Sequence, residues 1–122
     1  MPRILVIDDE DASLKLVTLH LSRAGYAVQE CIDGIRALGA IAAAPPDLII
    51  SDVQMPELDG YGATRQIKAL PGLAATPIIA VSSFAMKGDE EKARAAGCDD
   101  YVPKPYSPMQ LLGLVQGYLA GK

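Results

Sequence analysis

At 122 residues the chain has the length of one domain, expected to span 1–122, and half of it is apolar, which excludes a disordered tail. A net charge of −4 is the wrong sign for sequence-independent nucleic-acid binding, which requires clustered Lys and Arg. The apolar stretch after Met1-Pro2-Arg3 is far too short for a signal h-region or a membrane span, and Cys31 and Cys98 match no metal-ligand spacing. A cytoplasmic protein with two reduced thiols and no membrane partner is expected.

Short β-branched apolar runs alternate with segments of helical period, the pattern of repeated βαβ units. The first strand is predicted over Arg3–Asp8. A helix follows over Ala12–Ala24, with Leu14, Val17, Leu21 and Ala24 on one stripe and Gly25 as its stop. The second strand, Ala27–Cys31, carries Gln29 and Glu30 and so suits a sheet edge. Asp33 can cap a helix over Gly34–Ala44, which Pro45-Pro46 ends. The third strand is Asp47–Asp52 and the third helix Tyr61–Leu70, broken by Pro71-Gly72. Pro77–Ser82 reads as the fourth strand, Gly88–Ala96 as a polar helix stopped by Gly97, and Asp100–Lys104 as the fifth strand. Ser107-Pro108 is an N-cap followed by proline at the first helical position, opening a last helix to Leu119. Strict alternation with right-handed crossovers predicts an α/β fold: a doubly wound, flavodoxin-like five-stranded parallel sheet of order 2-1-3-4-5.

In that order the first and third strands are neighbours, so their ends bring Asp8, Asp9 and Asp52 to one crevice. Clustered carboxylates repel, and a hard divalent cation such as Mg²⁺ relieves them through oxygen ligands while leaving positions for phosphate oxygens. Asp52 can then act as a nucleophile towards phosphorus, the Lys104 ammonium can balance its charge, and the Ser82 hydroxyl can meet a phosphoryl oxygen. Nucleotide binding needs a hydroxyl- or glycine-rich loop after the first strand; the acidic run Asp8-Asp9-Glu10-Asp11 opposes it.

These motifs together resemble the receiver domain of two-component response regulators. They are Asp8-Asp9, Asp52 with Met55-Pro56 and Asp59-Gly60, Ser82, and Tyr101 with Lys104-Pro105. The stretch Phe84-Ala85-Met86-Lys87-Gly88-Asp89 resembles single-domain regulators of the DivK type. The resemblance implies that Asp52 takes a phosphoryl group from a phosphohistidine of a histidine kinase or histidine phosphotransfer protein. It also implies that Asp9, Asp52 and the backbone carbonyl of Gln54 ligate Mg²⁺ with Asp8 acting through water, and that Lys104-Pro105 is cis. Ser82 would be drawn to the phosphate and Tyr101 would turn into the vacated space. The signal would be read on a face of the fourth helix, fifth strand and fifth helix that includes Phe84, Met86, Tyr101, Tyr106 and Met109. Phe84 would also lie over the phosphate and slow attack by water.

Three further features have plainer expectations. His20 in the first helix has no acid in step and is expected to be structural or superficial. Gly113 and Gly117, spaced G-x-x-x-G, weaken the last helix, and close packing there, as a docking or dimer contact, would compensate. Asp89-Glu90-Glu91 suits the first turn of a solvated helix. The expected whole is a stand-alone, non-enzymatic signalling domain, monomeric or weakly dimeric, whose output is protein binding. An aspartyl-nucleophile phosphatase would want an acid where Gln54 stands, and a phosphorylation-independent adaptor would have no need of the acid cluster.

Overall fold

Strands of four or five residues, apolar in the centre of the sheet, alternate with helices that wrap its two faces. The computed structural model describes residues 2–8, 10–32, 34–52, 60–70, 72–73, 75–82, 89–103 and 107–120, with the backbone alone at 34, 35, 60–63, 82, 89, 90, 92 and 108. In chain order the elements are β1 (Arg3–Ile7), α1 (Asp11–Arg23), β2 (Ala27–Cys31), α2 (Gly34–Ala43) and β3 (Leu48–Asp52). Then come α3 (Gly60–Lys68), β4 (Ile78–Ser82), α4 (Asp89–Ala96), β5 (Asp100–Pro103) and α5 (Pro108–Leu119). All the strands are parallel, in the order β2-β1-β3-β4-β5, as the alternation predicts.

Burial follows strand position. Every residue of β3 is buried, because helices cover both faces of a central parallel strand. On the edge strand β2, Gln29 and Glu30 are exposed. Alternation sends Leu5, Ile7, Ile49, Ile78 and Ala80 to a core shared with Ala37 and Ile41 of α2, Ile67 of α3 and Ala93 of α4. The intervening residues Ile4, Val6, Ile50, Ile79, Val81 and Val102 meet Leu14, Val17 and Leu21 of α1 and Leu111, Val115 and Leu119 of α5. Each fully buried Ile or Leu contributes about 1.5–3 kcal/mol.

The element bounds depart from the sequence reading only at their ends. Sheet pairing stops at Ile7, one residue before the expected end of β1, and α1 runs Asp11–Arg23. Ala24, expected on the buried stripe, is instead the exposed C-cap of α1, because the chain turns away through Gly25 at φ +99°. At α5 the Ser107 Oγ accepts from the Met109 N–H at 3.1 Å and Pro108 opens the helix, as predicted. Asp33 and Pro71 lie outside the described residues.

Among the described residues of the chain, Gly113 and Gly117 pack against nothing: both are exposed, and an added Cβ would meet nothing within 4 Å. Cys31 and Cys98 are both buried and neither forms a disulfide. Among the described residues no helix is long and apolar enough to cross a membrane.

Candidate functional site

The site is built where β1 and β3 stop. Their register pairs Ile7 with Ser51, so the next residues, Asp8 and Asp52, stand side by side at the carboxyl ends of adjacent strands. Both are buried, at 5% exposure each, which is unusual for a carboxylate in an otherwise apolar sheet. The Asp8 N–H donates to the Cys31 carbonyl at 3.0 Å, extending the β1–β2 ladder by one bond. Its carboxylate Oδ1 accepts from the Glu10 N–H at 2.9 Å, so Asp8 also turns the chain towards α1.

Two buried carboxylates at the ends of adjacent strands repel, and their donor atoms are all oxygens, which suits a hard divalent cation. Among the described residues no group of three or more His, Cys, Asp or Glu gathers to hold a metal. The remaining expected ligands, Asp9 and Gln54, lie outside the described residues, as do Met55-Pro56 and Asp59.

Asp52 pairs with Val81 of β4, and Ser82 is the next residue, opposite Pro103 of β5. The backbone of Ser82 is therefore one step from the acid pair; its side chain is not among the described ones. Lys104, directly after β5, is outside them too, and with it the peptide bond to Pro105. Tyr101 pairs with Ala80, is half-buried, and packs against the core beneath α2, α3 and α4. Of the expected partner face, Met109 is 72% exposed on α5, whereas Phe84, Met86 and Tyr106 lie outside the described residues. His20 sits partly exposed in the last turn of α1, with its carbonyl accepting from Ala24.

Two features escaped the sequence reading. Ser51 Oγ is buried without a hydrogen-bond partner, and the only signal was one polar residue inside the run Leu48–Asp52. At the opposite edge of the sheet, Asp99 and Asp100 gather Lys68, Arg94 and Tyr118. The Lys68 ammonium lies 3.1 Å from Asp99 Oδ2, and the Tyr118 hydroxyl donates to the Asp99 carbonyl at 3.1 Å and to Asp100 Oδ2 at 3.2 Å. Arg94 donates to the Asp99 carbonyl at 3.2 Å. The adjacent acids after Cys98 were the available signal.

A doubly wound sheet of order 2-1-3-4-5 with paired acids at the ends of β1 and β3 has the architecture of a signalling receiver. The chain belongs to the response regulator receiver domain family, whose model matches residues 4–116. It is 36% identical over 120 residues to the polar-differentiation response regulator DivK of Brucella anthropi, covering 98% of each chain. Its fold is similar to that of the chemotaxis response regulator CheY4 of Vibrio cholerae, with a TM-score of 0.91, 30% identity and coverage of 98% and 99% of the two chains. It is likewise similar to the receiver domain of the sensor histidine kinase PA1611 from Pseudomonas aeruginosa. There the TM-score is 0.88 with 34% identity and 96% coverage of each chain, and that structure holds a magnesium ion in its active-site cleft. Phosphoryl acceptance is the general function of this family of signalling proteins.

Proposed function

We propose that this chain is a single receiver unit that takes a phosphoryl group from the phosphohistidine of a histidine kinase or phosphotransfer protein onto Asp52. The observation that carries this reading is the side-by-side burial of Asp8 and Asp52 at the ends of β1 and β3. A carboxylate oxygen of Asp52 forms the new P–O bond as the P–N bond to imidazole breaks, and the electron pair of that bond leaves with the ring, which takes up a proton. Burial helps: a carboxylate stripped of water is a better nucleophile, and a dry site slows hydrolysis of the acyl phosphate.

Asp9, Asp52 and the Gln54 carbonyl would hold Mg²⁺ directly, with Asp8 through water, and the all-oxygen donor set fits that ion. When bound, the ion neutralises charge on the phosphoryl oxygens. Lys104 balances the same charge, and Phe84 shields the acyl phosphate from water. The Ser82 hydroxyl donates to a phosphoryl oxygen, and the Tyr101 ring turns inward in response. Output is read on the α4-β5-α5 face, through Phe84, Met86, Tyr101, Tyr106 and Met109, by a protein partner in the cytoplasm. Nucleic acid, with a chain of net charge −4, is not that partner, and the working form is a monomer or weak dimer.

Incubation with acetyl phosphate and Mg²⁺ followed by intact-mass measurement tests the reading. One phosphate adduct is expected, absent from Asp52→Ala and after EDTA. Multiple turnover of small phosphate esters would point to a phosphatase. No adduct, even with a phosphohistidine donor protein, would leave a phosphorylation-independent adaptor.

A further inference from the structure

The registers of β1, β3, β4 and β5 place Ile7, Ser51, Ala80 and Tyr101 in one row across the sheet. All point to the same side, beneath α2, α3 and α4: Ile7 and Ala80 belong to that core, Tyr101 packs against it, and alternation gives Ser51 the face of Ile49. Asp52 therefore points to the other face from Ser51. Within this apolar row Ser51 is 1% exposed, and its Oγ has no hydrogen-bond partner. A buried orphan hydroxyl costs about 1–3 kcal/mol, so an apolar residue would serve the resting fold better.

Along this row Ala80, with only a methyl side chain, stands between Ser51 and Tyr101. Two strand spacings separate the outer pair, roughly 9–10 Å, a gap that a phenol laid across Ala80 together with the serine hydroxyl can span. We propose that Ser51 is the inner hydrogen-bond partner of Tyr101: the ring turning in over Ala80 brings its hydroxyl to Ser51 Oγ. This rests on the switching role of Tyr101 proposed above. Ser51 is then a positioning residue. It touches no phosphoryl group, yet it gives the inward ring a defined end-point, which a purely apolar cavity would not. The orphan in the conformation described is the vacant acceptor of the other one.

The test is ¹⁹F NMR of the full chain labelled with 3-fluorotyrosine, with and without beryllofluoride and Mg²⁺ as the phosphoryl mimic. Tyr101→Phe identifies the Tyr101 resonance among the five tyrosines. In the wild type, activation is expected to move that resonance to its inward position. Ser51→Val should lower the inward-to-outward ratio about fivefold, the weight of one neutral hydrogen bond, while Ser51→Thr, of the same shape with its hydroxyl kept, should restore it. Ala80→Leu should block the inward position. The phosphate adduct on Asp52 is expected to form in the Ser51 and Ala80 variants. An inward shift of equal size in Ser51→Val and Ser51→Thr would overturn the role of Ser51 and leave the switch intact. A Tyr101 resonance that never moves in the wild type, although the adduct forms, would overturn the switch and the proposal with it.

Discussion

Lys68 and Asp99 meet at the amino edge of the sheet, Nζ to Oδ2 at 3.1 Å, and each has a second task there. The same ammonium donates to the Thr76 carbonyl at 2.6 Å, and the same carboxylate oxygen accepts from the Ile78 N–H at 2.9 Å. The pair thus ties the end of α3 to the start of β4 and to the turn that leads into β5. Asp99→Ala is expected to lower stability by about 1–2 kcal/mol, reduced from the full value of charged hydrogen bonds because the carboxylate is 40% exposed. Asp99→Asn keeps an acceptor for Ile78 and should lose less. Urea unfolding reads this as a lower midpoint at unchanged slope; an Asp99→Ala midpoint equal to that of the wild type would show the tie to be inert.

Glycines on the same protein should respond in opposite directions. Gly113 and Gly117 are exposed helical positions with open space at the missing Cβ, so alanine at each is expected to add up to about 1 kcal/mol. Gly97 ends α4 at φ +111°, and a Cβ there would come within 3.1 Å of the Lys68 Cγ. Gly97→Ala should therefore destabilise by about 1–2 kcal/mol. Thermal melts of the three variants separate the cases, and a destabilised Gly113→Ala would mean that the outer face of α5 packs against something in solution.

Alkaline pH should weaken the fold from a known direction. Burial pushes the Cys98 thiol above its ordinary 9.0, opposed in part by its 3.6 Å contact with Thr64 Oγ1. Desolvation, then the neighbouring Asp100 carboxylate, raises the Tyr118 phenol above 10.0. In both cases the folded state keeps a proton that the unfolded chain releases first. Their contribution is full below the unfolded values and is lost as pH rises through the folded ones. Stability is thus expected to be level through neutral pH and to fall above about pH 9. Cys98→Ser removes the first titration, and its stability curve should be flatter there. Parallel curves for the two proteins would assign the alkaline loss elsewhere.

The element order was legible because the central strands are compact apolar runs and the first four helices have stops, and Gln29 with Glu30 marked the edge strand from composition alone. The meeting of Asp8 with Asp52 was also legible, since it follows from strand order and needs no side-chain detail. Ala24 was misread because the burial of a last helical turn depends on where the chain exits, which Gly25 decides. Gly113 and Gly117 meet nothing among the described residues for a related reason: a G-x-x-x-G spacing fixes a helix face but not whether the same chain covers it. Ser51 went unnoticed because its significance depends on which sheet face it takes and on what stands two strands away. The Lys68–Asp99 pair joins residues 31 apart through the placement of α3 against the sheet, which no local pattern encodes.

Removal of divalent metal should expose the strain of the acid pair. Asp8 and Asp52 are buried at the ends of adjacent strands, and like charges so placed oppose folding unless a cation intervenes. Mg²⁺ bound to the native state alone raises stability by mass action, so the melting temperature of the wild type should climb with Mg²⁺ concentration and fall back with EDTA. Asp52→Asn removes one of the two charges. In EDTA this variant should melt above the wild type, by about 1 kcal/mol of added stability, and added Mg²⁺ should raise it much less. Asp8→Asn should act in the same direction, with a smaller loss of Mg²⁺ response because its proposed role there is through water. The crossing of the two curves, with Asp52→Asn above in EDTA and wild type gaining with Mg²⁺, is the signature of a shared cation site. Identical melts for wild type and Asp52→Asn at every Mg²⁺ concentration would mean that the buried acids do not act as a pair.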